Sequence, residues 1–520
     1  MSRPLTVVKS IDHMVLTCAS IPQTVTFYTK YLGMRAETFT PAASTSTSTS
    51  TTSPRVALKF GTQKINLHER GKEFEPKART ALPGTADVCF VVDEATDLET
   101  VASGGPTTKM GSQQISNQPT HLLGDDFSTA PTPLNQPTAQ SSRVLVIGGG
   151  VTGLTTAWLL LDRGYRVTII SREWASYGHG PRLASQVAGA LWELPPAGCG
   201  PQALQDKLPM VQKWALEGLE IYRTIAENPG LAAAFGVKMR MCTIFHLNNL
   251  DQDAVKGEKI ELIKQTKLQG FSRGTHLFQK YGVNVDSHGG LVDSYEHLAP
   301  VIDTDVAMAY LMRLVWSKGA RLETDAIHGD VLAQEDHLLQ IYGADAIVNA
   351  TGVWAGEAAT DKTVYPLRGG LLRLINDGTD FPKVENCMVV SSATMRDGNF
   401  RDMAFLVPRN DSILCLGSIL HQDSWHLDLT PTCPEVEEMR ARCEDLLPML
   451  KNARLDPQYP LAQGRRPMRQ AHVRVECEDR RTNSGRESRI IHSYGHGGAG
   501  WTLAFGSARQ VVSLVGKRTT

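Results

Sequence analysis

The sequence is as informative for what it lacks as for what it contains. No apolar run is long enough to cross a membrane, the net charge is only -1, and the nine cysteines include no CxxC pair or closely spaced set. A charge near zero gives no general attraction to nucleic acid or to an anionic membrane, and scattered cysteines favour reduced thiols in an intracellular compartment. Partners must therefore be inferred from individual sites.

Targeting signals are also missing from both ends of the text. The start, MSRPLTVVKSIDHMVLTC, has no apolar run after a basic region, and the last five residues, GKRTT, do not form the SKL-type peroxisomal address. The hydrophobic fraction of 41% and the charged fraction of 21% are ordinary for soluble globular proteins. We expect a cytoplasmic protein with no membrane partner, and the peroxisome stays open as an alternative.

The composition changes twice along the chain and predicts a division into parts. Residues 1–103 contain the strand-like IDHMVLTC, RVALKFG, KINLHER and ADVCFVV and the helical IPQTVTFYTKYLG, which predict a βαβββ module interrupted by an exposed Ser/Thr loop at 44–53. Residues 104–142 are rich in Gly, Pro, Gln, Ser and Thr and predict a flexible linker. Residues 143–520 then alternate strands and helices and predict one interleaved two-domain unit.

A glycine motif opens this last part. In RVLVIGGGVTGLTTAWLLLDRGYRVTIIS an apolar strand leads through a glycine turn into a helix and a second strand. Gly148 permits a tight turn, Gly150 lets a pyrophosphate approach the backbone, and Gly153 allows the helix to pack closely on the strand. The motif predicts a dinucleotide at the helix N-terminus. Glu173, or less directly Ser171, would hold the ribose.

Six motifs in order resemble the D-amino-acid oxidase family over residues 143 to about 516. They are VIGGGVTGL, VAGALWELP, IVNATGVWAG, LRGGLL, GRRPMR and YGHGGAGWT. The resemblance implies an α/β fold in which a Rossmann-like FAD-binding domain (about 143–200, 300–360 and 464–516) is interleaved with an antiparallel-sheet substrate domain (about 201–299 and 361–463). It implies FAD as the cofactor, and the helix after the last motif would face the flavin ring and stabilise negative charge there.

The same resemblance implies the residues that contact FAD. These are Gly148, Gly150, Val151, Thr152, Gly153, Ser171, Arg172, Ala188, Gly189, Leu191, Trp192, Ile327, Thr351, Gly352, Gly497, Gly498, Ala499, Gly500, Trp501 and Thr502. We expect Gly498 to be a catalytic residue as well as a cofactor contact. Tyr494 and His496 are expected to position the glycine turn that contains it.

The substrate side depends on a carboxylate clamp. A guanidinium that binds a carboxylate through two hydrogen bonds would orient an amino acid, and the family motif implies Arg466 in that role, with Arg465 as the alternative. The family's tyrosine hydroxyl on the same carboxylate is missing, because Phe405 stands at that position, and a second tyrosine falls near Arg401. A lost hydrogen bond to a charged group weakens binding by about 1.5 to 3 kcal/mol.

The implied reaction converts a D-amino acid and oxygen into a 2-oxo acid, ammonia and hydrogen peroxide. Leu420 stands where D-aspartate oxidase has an arginine, which favours neutral side chains, although His421 and Arg401 keep acidic substrates open. The alternatives are another amine, glycine or N-methyl amino acid oxidase, a metal-dependent lyase or dioxygenase activity of the N-terminal module, and a flavin-binding protein without catalysis.

The N-terminal module resembles part of the glyoxalase, or vicinal-oxygen-chelate, family through IDHMVLTC, TVTFYTKYLGM, INLHERGKEFEPKA and PGTADVCFVV. The resemblance implies His13 and His68 as weak candidates for metal ligands. The carboxylate that a second module would supply is missing, so we expect no bound metal, although a homodimer could combine two half-modules.

Overall fold

The fold is described from a computed structural model that covers residues 14–18, 20–39, 55–60, 63–69, 123, 126–177, 182–197, 207–266, 268–391, 403–470 and 472–519. Contacts divide the chain into two units, Met1–Ser116 and Asn117–Thr520. No helix in these ranges is long and apolar enough to cross a membrane.

The N-terminal unit contains the βαβββ pattern that the sequence predicts. Its elements are β1 (Met14–Cys18), α1 (Ile21–Leu32), β2 (Arg35–Phe39), β3 (Arg55–Phe60) and β4 (Gln63–Glu69). The sheet order is β1-β4-β3-β2, with β1 parallel to β4. Strand β2 was not predicted from the sequence. The predicted strand ADVCFVV lies outside the described residues.

The second unit contains fourteen strands in the described ranges. They are β5 (Arg143–Ile147), β6 (Arg166–Ser171), β7 (Val237–His246), β8 (Ser272–Arg273), β9 (Asp293–Ile302), β10 (Arg321–Thr324), β11 (Ala346–Asn349), β12 (Val364–Ile375), β13 (Cys387–Ser391), β14 (Ala404–Pro408), β15 (Ile413–Gln422), β16 (Leu461–Arg469), β17 (Arg474–Cys477) and β18 (Ile490–Tyr494).

The helices of this unit alternate with these strands. They are α2 (Val151–Asp162), α3 (Ala184–Val187), α4 (Leu208–Glu227), α5 (Pro229–Phe235), α6 (Ala254–Gln265), α7 (His276–Tyr281), α8 (Thr304–Ser317), α9 (Glu335–Tyr342), α10 (Ala355–Ala358), α11 (Pro434–Leu446) and α12 (Gly500–Thr519). Short 3-10 helices occur at Leu250–Gln252, Ser287–Gly289, Leu332–Gln334, Gly352–Trp354, Pro448–Asn452 and Gly497–Ala499.

A six-stranded, mostly parallel sheet forms the Rossmann-like layer that was expected. Its order is β10-β6-β5-β11-β18-β17, and only β17 runs antiparallel to its neighbour. Strands such as β5 and β11 are nearly continuous apolar runs because helices cover parallel sheets on both faces. The parallel strands end at one edge of the sheet, where a ligand can approach several glycine turns together.

The second sheet has eight strands in the order β16-β12-β15-β14-β13-β7-β9-β8. As expected, the sheet is mainly antiparallel; the exception is the parallel pair β7 and β13. Strand β16 belongs to this sheet, although residues from 464 onward were assigned to the FAD-binding part. The register fixes that assignment, since Arg466 lies opposite Leu367 of β12.

The described end of the predicted linker belongs to the second unit and packs against the rest of it. Leu123 and Phe127 are fully buried, and the carboxylate of Asp162 accepts hydrogen bonds from the backbone N–H groups of Ser128 (2.8 Å) and Leu134 (2.9 Å). Asp162 also pairs with the buried ammonium of Lys318 at 2.7 Å. The expectation of flexibility is wrong for residues 126–142, because it relied on hydrophobic periodicity, which a segment anchored through its backbone does not need.

Two buried histidines in this unit have depressed pKa values. His246 on β7 and His297 on β9 each stack on Tyr295, at 5.6 and 6.2 Å between ring centroids. Burial lowers the pKa of His246 to about 3 and that of His297 to about 4. Both rings are therefore neutral in the folded protein near neutral pH.

We expect these histidines to make the protein acid-sensitive. An unfolded histidine takes up a proton near pH 6.5, whereas folded His297 does so near pH 4, so its contribution is complete above about pH 6.5 and is lost as the pH falls toward 4. The contribution of His297 to the free energy of unfolding that is lost over this pH range is roughly 3 kcal/mol. Urea unfolding between pH 7.5 and 4.5 measures how the free energy of unfolding depends on pH. The dependence should be shallower in His297→Gln than in the wild type, and the control His337→Gln, at an exposed position, should match the wild type. Equal slopes for all three proteins would contradict this.

Candidate active site

The glycine turn between β5 and α2 begins the site. Gly148 has a φ of +125°, and a Cβ placed on it would lie 2.3 Å from the carbonyl oxygen of Ala350. Gly150 caps α2 without a side-chain hydrogen bond. The first N–H groups of a helix have no partner within the helix. In α2 the N–H of Val151 donates to the Ser185 hydroxyl at 3.0 Å, and no side chain at Gly150 caps the N–H groups that follow. The turn therefore offers a close approach and a positive helix end to an anion such as a pyrophosphate.

A cavity of about 350 Å³ extends from this turn along the carboxyl ends of β5, β6, β11 and β18 and reaches the face of the eight-stranded sheet. Eighteen of the residues predicted to contact the cofactor line it. They are Gly148, Gly150, Val151, Thr152, Ser171, Arg172, Ala188, Gly189, Leu191, Ile327, Thr351, Gly352, Gly497, Gly498, Ala499, Gly500, Trp501 and Thr502.

Two predicted cofactor residues do not line the cavity. Trp192 is fully buried, and its indole N–H donates to the carbonyl oxygen of Ala215 at 2.9 Å, so its inclusion is corrected: it is a core residue. Gly153 lies behind the turn, where a Cβ would be 1.9 Å from the carbonyl oxygen of Gly148. Its missing side chain lets α2 pack on the turn, which is the role expected of it.

The turn after β6 combines structural and binding groups. The Ser171 hydroxyl accepts from the N–H of Gly149 (3.1 Å) and donates to the carbonyl oxygen of Glu173 (2.6 Å), so it ties two turns together. The Arg172 guanidinium lies 4.1 Å from the centre of the Trp354 ring. Glu173 and Arg172 both line the cavity, which keeps Glu173 as the candidate for a ribose contact.

At the other end, one row of side chains from the eight-stranded sheet forms the wall. The register aligns Leu371, Gly417, Phe405 and Val389 on neighbouring strands, and the three with side chains line the cavity. The Phe405 ring packs against Gly189, where a Cβ would be 2.5 Å from the ring. This wall is apolar.

Arg466 lies beside that row. Its Nη2 donates to the Ser418 hydroxyl at 2.9 Å, and its Nη1 donates to the carbonyl oxygen of Ile419 at 3.4 Å. No carboxylate pairs with it among the residues that the structure describes. Arg465 also lines the cavity but donates from Nε to the carbonyl oxygen of Trp425 at 2.7 Å. Arg466 is thus the better placed of the two, and Arg401 lies outside the described residues.

Contrary to the prediction, Leu420 is not positioned to select the substrate's side chain. Leu420 is buried against Leu367, Met403 and Met468 and does not line the cavity, whereas Met403 does. His421 is also turned away, since its Nδ1 lies 2.8 Å from Nη2 of Arg368. The apolar surface at this point is therefore that of Met403.

Tyr494 and His496 precede the glycine turn at Gly497–Ala499 and line the cavity. The Tyr494 hydroxyl donates to Asp361 at 3.0 Å and accepts from Arg474 at 2.8 Å, and burial raises its pKa. His496 lies 3.2 Å from the Ser507 hydroxyl, and burial lowers its pKa to about 4. Both side chains are therefore neutral, and both are buried close in sequence to Gly497 and Gly498.

Some lining residues carried no usable signal in the sequence analysis. Glu193 lies within the quoted motif VAGALWELP but was not singled out; it lines the cavity and accepts from the ammonium of Lys259 at 2.6 Å. Burial acts to lower the pKa of Lys259, yet Glu193 and Tyr295 more than offset this and the pKa is raised. Ser418 belongs to no recognisable motif, and only the strand register brings it to Arg466.

In the N-terminal unit, His68 is buried on β4, and His13 lies outside the described residues. Across the parts of the chain that the structure describes, no three His, Cys, Asp or Glu side chains form a group that could hold a metal ion.

The fold and cavity define a dinucleotide-binding protein, and comparisons with known proteins identify its family. The model of the FAD dependent oxidoreductase family matches residues 143–514, so the chain belongs to that family and is an FAD-dependent oxidoreductase. The chain is 30% identical to a D-amino-acid oxidase of Streptomyces coelicolor (72% of this chain, 97% of that protein) and 28% identical to one of Rubrobacter xylanophilus (72% and 96%).

Other known proteins are similar to either the N-terminal or the C-terminal part of the chain. Over 88 residues the chain is 46% identical to a glyoxalase domain-containing protein of Mycosarcoma maydis, covering 17% of this chain and 43% of that protein. Iminodiacetate oxidase from Chelativorans and glycine oxidase from Geobacillus kaustophilus share the fold, each with a TM-score of 0.54, at 18% and 17% identity. They cover 72% and 73% of this chain and 95% and 96% of their own.

The lining residues fit FAD. Gly148 and Gly150 line the cavity with backbone only, which leaves room for a pyrophosphate at the N-terminus of α2, and the cavity is long enough to meet both the turn after β6 and the Gly497–Ala499 turn. FAD is therefore the cofactor of this unit.

The Gly148 contact gives a direct test of the cradle. Gly148→Ala would force a methyl group against the backbone of Ala350, and we expect FAD affinity to fall by about tenfold or more, because a backbone oxygen cannot move aside as a flexible side chain can. Flavin absorbance and fluorescence titration of the apoprotein measure this. In the control Gly257→Ala the nearest atom is 4.0 Å away, and affinity should be unchanged; wild-type affinity in Gly148→Ala would refute the proposed cradle.

Proposed function

We propose that this protein oxidises the amino-bearing carbon of a small D-amino acid with a neutral side chain, giving a 2-oxo acid, ammonia and hydrogen peroxide. The observation that carries the proposal is the Arg466 guanidinium, which lines the cavity and has no carboxylate partner among the described residues. Similarity to two D-amino-acid oxidases over nearly their whole length supports the choice.

Arg466 is suited to hold the substrate carboxylate. A guanidinium has five N–H donors in a planar fork, and Arg466 donates one each to Ser418 and Ile419. The other N–H groups suffice for a bidentate contact with a carboxylate. This contact would fix one end of the substrate and leave its amino-bearing carbon to be oriented by the wall.

The wall favours a neutral side chain. Leu371, Val389, Met403 and Phe405 present apolar surface to the cavity, and an ionised side chain would lose hydration there without gaining a partner. Phe405 has no hydroxyl to share the carboxylate, so Arg466 is the main anchor among the described residues. Bound FAD would supply the two-electron oxidation, while the chain supplies orientation and charge placement.

The cofactor would lie along the predicted residues that line the cavity. The pyrophosphate would meet the α2 N-terminus, and the flavin end would lie near the Gly497–Ala499 turn and the N-terminus of α12. The positive end of α12 favours negative charge in that place. Tyr494 and His496 would keep the turn in position through the hydrogen bonds described above.

Oxidation of glycine or of an N-substituted glycine is the second candidate. The structures with this fold include a glycine oxidase and an iminodiacetate oxidase, and an Arg466 clamp would hold the carboxylate of either substrate equally well. Chirality of the consumed substrate separates the candidates, because glycine and iminodiacetate have no stereocentre at the oxidised carbon.

The first experiment is anaerobic reduction of the bound flavin. We expect D-alanine to bleach the flavin absorbance and L-alanine to leave it unchanged, because the clamp and the wall would present one enantiomer correctly. D-aspartate, glycine and iminodiacetate are tested as reductants in the same way. Faster bleaching by glycine or iminodiacetate than by any D-amino acid would replace the proposal by the second candidate.

The clamp is tested with matched arginine variants. Arg466→Ala should lower kcat/KM for the best substrate by roughly a hundredfold or more, since it removes a charged bidentate contact, while flavin absorbance stays. Arg465→Ala decides between the two neighbouring candidates, and Arg223→Ala, which removes a half-buried arginine paired with Glu220 outside the cavity, serves as the control. A larger loss in Arg465→Ala than in Arg466→Ala would assign the clamp to Arg465.

A further inference from the structure

Ser418 is the polar side chain in direct contact with the guanidinium of Arg466. It lies on β15 with 3% of its surface exposed, and it lines the cavity. Its Oγ accepts a hydrogen bond from Nη2 of Arg466 at 2.9 Å and donates to the carbonyl oxygen of Ile419 at 3.1 Å. The same carbonyl oxygen accepts from Nη1 of Arg466. The hydroxyl, the carbonyl and the guanidinium thus form one closed set of hydrogen bonds.

The backbone beneath this set leaves little freedom to the guanidinium. A Cβ on Gly369 of β12 would lie 1.9 Å from Nη1 of Arg466, so the guanidinium lies directly over a glycine. Gly417, which precedes Ser418, is paired with Phe405 and Leu371 in the wall. The hydroxyl therefore stands at the boundary between the apolar wall and the charge of Arg466.

A neutral partner has a particular advantage here. An arginine side chain is long and flexible, and a bidentate contact requires its plane to be aligned with the ligand. An aspartate or glutamate could align it as well, but its negative charge would compete with the ligand carboxylate for the guanidinium. A serine hydroxyl aligns the plane and leaves the positive charge uncompensated.

We propose that Ser418 is a positioning residue that fixes the plane of the Arg466 guanidinium, so that its remaining N–H groups face the cavity and bind a monocarboxylate. The inference rests on the proposed function only in taking the amino acid's carboxylate as the natural ligand. The hydroxyl acts through Arg466 and takes no part in the oxidation itself.

The test is binding of propionate to the FAD-loaded protein by isothermal titration calorimetry, with propionamide as the uncharged ligand of the same shape. Ser418→Ala should weaken propionate binding on the order of tenfold and leave propionamide binding unchanged. Ser418→Thr, which keeps the hydroxyl, should stay within about threefold of wild type. Ser128→Ala, which removes a buried hydroxyl outside the cavity, is the control for loss of a serine hydroxyl as such.

A double-mutant comparison separates positioning from other effects. In Arg466→Lys the ammonium has no planar fork to align, so adding Ser418→Ala should weaken propionate binding by no more than about twofold. An equal loss in both backgrounds, or unchanged propionate binding in Ser418→Ala, would overturn the inference. Retained flavin absorbance and an unchanged Tm in each variant exclude misfolding as the cause.

The outcomes distinguish this inference from the proposed function. If propionate binding depends on Arg466 and Ser418 but no amino acid bleaches the flavin, the oxidase proposal fails and the role of Ser418 stands. If D-amino acids bleach the flavin but propionate binding ignores Ser418, the oxidase proposal stands and this inference is wrong.

Discussion

The close contact between Gly148 and the carbonyl oxygen of Ala350 sets the geometry on which the site depends. It brings the end of β5 next to the end of β11, and it is possible only because Gly148 has no side chain and adopts a positive φ. Gly153 must also lack a side chain, because α2 packs there directly on the carbonyl oxygen of Gly148. The helix N-terminus and the strand ends therefore open into the same cavity.

The segment around α3 joins the two sheets. Ser185 accepts from the N–H of Val151 at one end of the cavity, and its carbonyl oxygen accepts from the indole of Trp501. A few residues further on, Gly189 contacts the Phe405 ring on the eight-stranded sheet. One short stretch of chain thus touches the glycine turn between β5 and α2, the start of α12 and the apolar wall, which fixes their separation along the cavity.

The two ends of the cavity carry different chemistry. The nucleotide end offers backbone N–H groups, a helix dipole and the stacked pair of Arg172 and Trp354. The other end offers an apolar wall and the guanidinium of Arg466, which is hydrogen-bonded only to uncharged groups among the described residues. Under the proposed function, that guanidinium would be the main group that recognises the substrate carboxylate.

Glycine spacing, strand composition and motif order in the sequence were enough to predict the Rossmann-like layer, the FAD cofactor and eighteen of the residues that line the cavity. These features are local: a glycine turn between an apolar strand and a helix has the same consequence wherever it occurs. The sequence also contained the βαβββ pattern of the N-terminal unit. It could not decide which side of a strand or turn faces the cavity.

Only the tertiary structure decided such orientations. In the structure Trp192 lies in the core, and His421 contacts Arg368. Met403 lines the cavity, whereas Leu420 is buried beside it. The tertiary structure also anchored residues 126–142 through Asp162, and it brought Ser418 to Arg466 from a strand 48 residues away in sequence. The physical reason is common to all of them: side-chain direction follows from strand register and long-range packing, which join residues that no local pattern connects.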